Sequence, residues 1–164
     1  MQVLYDSRHN LPVNPITIKA ERPDTVDARQ LLSELDAYLL GLPYPAESRH
    51  ALPVEKLLSE QVAFFVTRYN DEAAGCGGIK VYADYAEVKR MYVRATHRGR
   101  GLGKAMLDHL ANQAQQQNIN LLRLETGIYQ VEAIALYERY GFQRREPFSD
   151  YEVSSMNIYF EKQL

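Results

Sequence analysis

Arg98-Gly99-Arg100-Gly101-Leu102-Gly103-Lys104-Ala105 packs three glycines and three basic side chains into one short segment. Glycines let successive backbone amides turn inward with no Cβ in the way, and a helix starting there adds unpaired N–H groups and a partial positive charge. Such a turn can hold phosphate oxygens. Single residues exclude two nucleotide motifs: a dinucleotide fingerprint needs glycine where Lys104 stands, and a P-loop needs Ser or Thr where Ala105 stands. Other reactive residues are sparse. Cys76 has no adjacent His or basic turn to activate its thiol, and His109 sits at helical spacing from Ala105, as a packed helix residue would. No cluster of His, Cys or carboxylates has metal-ligand spacing, so no metal is expected.

A phosphate-holding turn needs a strand to deliver it and a helix to follow. Glu87 to Val93 alternates partially and reads as that strand, and Gly101 to Gln117 reads as the helix, with Leu102, Ala105, Met106, His109, Leu110 and Gln113 in one sector. Ile119 to Glu125 then reads as a buried strand, completing a β-α-β crossover. Upstream, Ile16 to Lys19 suggests a short strand, and Asp24 is placed to cap a helix carrying Leu31, Leu32, Leu35, Leu39 and Leu40. Gly41 to Pro53 is a long polar loop, and Glu55 to Ser59 a short helix. Val62 to Thr67 and a glycine-broken stretch through Ile79, Val81 and Tyr82 form strands joined at Asn70-Asp71-Glu72. Val131 to Tyr140 reads as a helix stopped by Gly141, with extended chain resuming from Phe142 towards a strand over Val153 to Phe160.

The 164 residues suit one domain over 16–164, preceded by an irregular lead-in over 1–15. Apolar residues make up 46% and charged ones 24%, the composition of a folded chain. With 19 basic and 21 acidic residues, a net charge of −2 gives no field to hold a polyanion, so nucleic acid is not an expected partner. One cysteine makes no internal disulfide, no apolar run is long enough for a membrane span, and no signal-peptide pattern opens the chain. A cytoplasmic location is the expectation.

Two segments resemble a known family. Arg98-x-x-Gly101-x-Gly103 resembles the acetyl-CoA pyrophosphate loop of the GNAT acetyltransferases, and Ala133-Ile134-Ala135-Leu136-Tyr137-Glu138-Arg139-Tyr140-Gly141-Phe142 resembles the family's second signature. Pro45 to Leu52, Ala74 to Gly78, Leu124 to Gly127 and Glu146 to Tyr151 further resemble small bacterial members labelled indole-3-acetic acid acetyltransferase-like. The resemblance implies an α/β (α+β) acyl-CoA N-acyltransferase fold. Its mostly antiparallel twisted sheet would carry helices on both faces and splay between 88–93 and 119–126 to admit the pantetheine arm.

By the same resemblance, acetyl-CoA would be bound by Met91, Tyr92, Val93, Arg98, Gly99, Arg100, Gly101, Leu102, Gly103, Lys104, Ala105, Gln130 and Tyr137. Gln130 stands where the family often has Asn. Val93 N–H is the implied oxyanion donor, Glu87 the implied general base, and Tyr137 the implied acid for the leaving thiolate. Glu47, Ser48 and His50 of the long loop would contact the acceptor, a small-molecule amine or a peptide. A homodimer is compatible with this reading. Two alternatives are a protein or peptide N-acetyltransferase and a non-catalytic acyl-CoA-binding module.

Overall fold

A computed structural model describes residues 14–49 and 52–164. The chain forms β1 (Ile16–Ala20), α1 (Val26–Leu40), α2 (Val54–Ser59), β2 (Ala63–Tyr69), β3 (Glu72–Val81) and β4 (Ala86–Val93). It continues with α3 (Leu102–Gln116), β5 (Leu121–Gly127), α4 (Val131–Tyr140), β6 (Gln143–Arg145) and β7 (Asn157–Gln163). One seven-stranded sheet runs β1-β2-β3-β4-β5-β7-β6, antiparallel at every junction except β4–β5.

Alternation along β2 puts helices on both faces. Phe64 and Val66 pack with Ala28, Leu31, Leu32 and Leu57 of α1 and α2, while Phe65 packs on the opposite side with Met106, Leu107 and Leu110 of α3. A Cβ on Gly77 would lie 2.8 Å from Met106 Cγ, so its absence is what allows α3 to sit this close to β3. Two sequence-based expectations shift. Thr25, not Asp24, caps α1, accepting from Ala28 N at 3.3 Å, because Asp24 is drawn to Arg22 at 2.7 Å. The last strand starts at Asn157 rather than Val153, since residues 146–156 form an irregular segment anchored by Phe148 and Tyr151 against Tyr85 and Tyr159.

Two features of β4 matter for the site. It pairs with β5 at only two rungs, Ala86↔Leu122 and Glu87↔Arg123, after which the strands diverge into an open wedge. Its register against β3 also slips between Cys76↔Tyr92 and Gly78↔Lys89, two residues of β4 (Arg90 and Met91) facing one of β3 (Gly77), with Arg90 left-handed at φ 57°. This is a β-bulge. Among the described residues, no helix is long and apolar enough to cross a membrane.

Candidate active site

The wedge opens into a cleft of about 610 Å³ between the end of β4, the start of α3 and the face of α4. Met91, Tyr92, Val93, Arg98, Gly99, Gly101, Leu102, Gly103, Lys104, Gln130 and Tyr137 all line it. Gly101 caps α3 in the left-handed conformation (φ 82°), and no side chain caps the helix. The first backbone bond of α3 is Ala105 N to Gly101 O at 3.0 Å, which leaves the amides of Leu102, Gly103 and Lys104 without protein partners among the described residues. A Cβ on Gly99 or Gly101 would meet nothing within 4 Å, so open space lies above these amides. A helix start of this kind fits a phosphate group.

The other turn residues divide their roles. Ala105 spends its amide inside the helix, and Arg100 turns away to lie 4.8 Å over the Tyr69 ring; neither lines the cleft. Arg98 braces the walls, donating to Val93 O at 3.1 Å and to Glu132 of α4 at 2.7 Å. Lys104 pairs with Asp108 at 2.7 Å. Gly103 also serves packing, since its Cβ would sit 2.7 Å from Leu136 Cδ2 where α4 crosses α3.

At the root of the wedge, Arg94 N donates to Ala74 O of β3 at 2.8 Å. Alternation in an antiparallel ladder then points the Val93 N–H the other way, into the gap left by β5. Tyr137 is buried at 6% exposure, its ring 5.7 Å from Phe142 and 6.1 Å from Phe160. Burial, and then the nearby Glu125 carboxylate, hold its phenol well above the usual range. Among the described residues its hydroxyl has no protein hydrogen-bond partner.

Ala86, Val88, Leu122 and Leu124 point into the α3–α4 core, so alternation places Glu87, Lys89, Arg123 and Glu125 together on the opposite face. Glu87 is 2% exposed rather than solvated, accepting from the Tyr151 hydroxyl at 2.6 Å with Lys89 Nζ 3.3 Å away. Glu125 is half-buried, and burial reinforced by Glu87 pushes its carboxyl up to about 7, with Lys89 pulling against them. Sequence reading gave Glu125 no chemical role. Cys76 is an inert core thiol, pushed up to about 12 by burial.

The α1–α2 loop is latched to the turn after β5 through an unexpected residue. Glu47 is exposed and Ser48 half-exposed on a 3₁₀ turn, outside the cleft, and His50 lies outside the described residues. Tyr44 instead accepts from Tyr129 N at 3.0 Å, lies tilted against the Tyr129 ring with centroids 4.9 Å apart, and fills the space where Gly127 has no Cβ. Arg49 holds the loop in shape by donating to the carbonyls of Leu40, Leu42 and Tyr44. Gly127→Ala is expected to expel the Tyr44 ring and cost about 1–3 kcal/mol, the usual penalty of overpacking. Thermal unfolding of the two proteins checks this, and an unchanged midpoint would mean that the loop is not latched there.

A splayed sheet with bare helix amides at its mouth and buried titratable side chains at its root is the architecture of an acyl-CoA-dependent acyltransferase. The sequence profile of the Acetyltransferase (GNAT) family matches residues 29–142, and the chain belongs to that family. It is 40% identical over 151 residues to the IAA acetyltransferase of Azospirillum brasilense, covering 91% of this chain and 98% of that protein. The crystal structure of a putative acyl-CoA N-acyltransferase from Klebsiella pneumoniae subsp. pneumoniae MGH 78578 shares 34% identity with a TM-score of 0.77, covering 91% of this chain and 97% of that one. The PaiA N-acetyltransferase of Thermoplasma acidophilum, solved in complex with coenzyme A, has the same fold at 20% identity, with a TM-score of 0.74 over 91% of this chain and 99% of that one. The protein is an acetyl-CoA-dependent acetyltransferase.

Proposed function

We propose that this enzyme acetylates a primary amine on a small molecule by direct attack on the thioester. The observation that carries this is the placement of Glu125, half-buried just past the last β4–β5 rung and on the same face as Glu87, where burial pushes its carboxyl up to about 7. A group titrating near neutrality is matched to taking a proton from an amine at working pH. The amides of Leu102, Gly103 and Lys104 would hold the pyrophosphate, with Met91, Tyr92, Val93 and Gln130 along the pantetheine arm. Val93 N–H, aimed into the gap, would stabilise the carbonyl oxygen as it gains charge. The Glu87–Glu125 pair would accept the amine's proton, and Tyr137 would protonate the sulfur.

The acceptor would enter from the face that carries Glu87 and Glu125, between the α1–α2 loop and residues 146–156. The test is thiol release from acetyl-CoA over a panel of small amines, amino acids and peptides. Turnover confined to small primary amines is the expected result. Turnover confined to peptides would replace the small-molecule reading with a peptide one.

A further inference from the structure

The sheet is tied together unevenly around the cofactor wedge. β4 and β5 pair at Ala86↔Leu122 and Glu87↔Arg123, and among the described residues no rung joins them at the end where β4 reaches Val93. Arg98 makes the join instead. Its Nε donates to Val93 O at 3.1 Å, and its Nη1 donates to Glu132 Oε2, in the first turn of α4, at 2.7 Å. Its guanidinium carbon also lies 5.7 Å from the centre of the Tyr38 ring on α1. Val93, Arg98, Glu132 and Tyr38 all line the cleft, so one side chain touches three of its walls.

The place of this contact sets what it can do. The N–H and C=O of one strand residue point to the same side, so Val93 O faces the gap that its N–H faces. Arg98 takes that carbonyl from the gap side and carries the contact across to α4. The ion pair of Lys104 with Asp108, by contrast, stays within one helix and spans nothing. The Arg98 and Glu132 side chains are 35% and 66% exposed, and an exposed pair breaks and re-forms at little cost.

We propose that Arg98 and Glu132 form a strap across the cofactor cleft, which opens to let the pantetheine arm in, closes over it, and must open again before coenzyme A leaves. This rests on the placement of the arm in the wedge and of the pyrophosphate at the start of α3. Because one contact is broken on the way in and on the way out, it adds the same amount to both barriers. The strap therefore slows both steps and leaves the affinity almost unchanged. A carboxylate that only repelled the phosphates would act differently, slowing association and weakening the complex.

Stopped-flow binding of coenzyme A measures both rates. Glu132→Gln keeps the shape of the side chain and removes its charge, and the association and dissociation rates should both rise about two- to five-fold, the factor an exposed pair is worth, with Kd nearly unchanged. Glu138→Gln removes the same charge from the same helix, but Glu138 pairs with Arg144 and does not line the cleft, so both rates should stay at their wild-type values. Raising the salt should shrink the ratio of the Glu132→Gln dissociation rate to that of wild type, because an exposed pair is screened. Faster association with an unchanged dissociation rate in Glu132→Gln would overturn the strap in favour of repulsion alone, and two unmoved rates would overturn it outright. Gly101→Asp separates the strap from the placement beneath it. If that variant loses coenzyme A while Glu132→Gln leaves both rates alone, the strap falls and the placement stands. If it binds coenzyme A as wild type does, the phosphates lie elsewhere, and strap and placement fall together.

Discussion

Tyr137→Phe is expected to lower kcat by about 10²–10⁴-fold, the range typical of a general acid, with the acetyl-CoA KM and the thermal midpoint nearly unchanged. The substitution keeps the ring against Phe142 and Phe160. Among the described residues the hydroxyl has no protein partner, so its removal leaves no buried group unsatisfied. Because burial and Glu125 hold the phenol above its ordinary range, it stays protonated at every pH where the enzyme works. Loss of rate should therefore be flat across pH rather than confined to one limb. Steady-state kinetics on the pair of proteins checks this, and an undiminished kcat would hand sulfur protonation to water.

Gly101→Asp should abolish acetyl-CoA binding while leaving the fold in place. At a ligand concentration of 100 Kd the wild type gains about 2.7 kcal/mol, or roughly 5–10 °C in midpoint for a chain of this size. Residue 101 is left-handed at φ 82°, a conformation Asp tolerates better than most residues, and its Cβ would meet nothing within 4 Å. A carboxylate at the cap of α3 would also suit the helix itself. That same fit places a negative charge over the amides of Gly103 and Lys104, where the pyrophosphate would lie. Gly101→Asn, similar in shape without the charge, should retain part of the shift. A full shift in Gly101→Asp would move the phosphates away from the start of α3.

The parts of this enzyme that were legible in its sequence are those whose cause is local. The glycine turn of 99–103, the stop at Gly141 and the hairpin at Asn70-Asp71 each follow from a few neighbouring residues, and all stand where they were expected. The wedge followed from resemblance, and the two rungs of β4–β5 bear it out. What stayed hidden depends on distant partners. Glu125 draws its proton affinity from burial and from Glu87 on another strand, Tyr151 crosses 64 positions to reach Glu87, and Tyr44 crosses 85 to reach Tyr129. The loop was expected to present Glu47, Ser48 and His50; Glu47 and Ser48 lie on a 3₁₀ turn away from the cleft lining, and His50 lies outside the described residues. The anchoring of the loop by Tyr44 was not foreseen, because it depends on the glycine notch at 127.

The bulge at Arg90 explains why β4 alternates only partially, and it has a consequence for how this strand can vary. Glu87 and Val93 are separated by an even number of positions, so an unbroken strand would present both to the same side. The one surplus residue switches the phase between them. Glu87 lies opposite the α3–α4 core beside Arg123, while Met91 packs into that core and Val93 lines the cleft. The strand thus works as a ruler whose phase, more than its lettering, sets which groups meet. Exchanging Arg90 for another side chain would disturb its contact with Asp36, whereas deleting the position would remove the bulge and leave Val93 and Glu87 five positions apart on a regular strand, still on opposite faces.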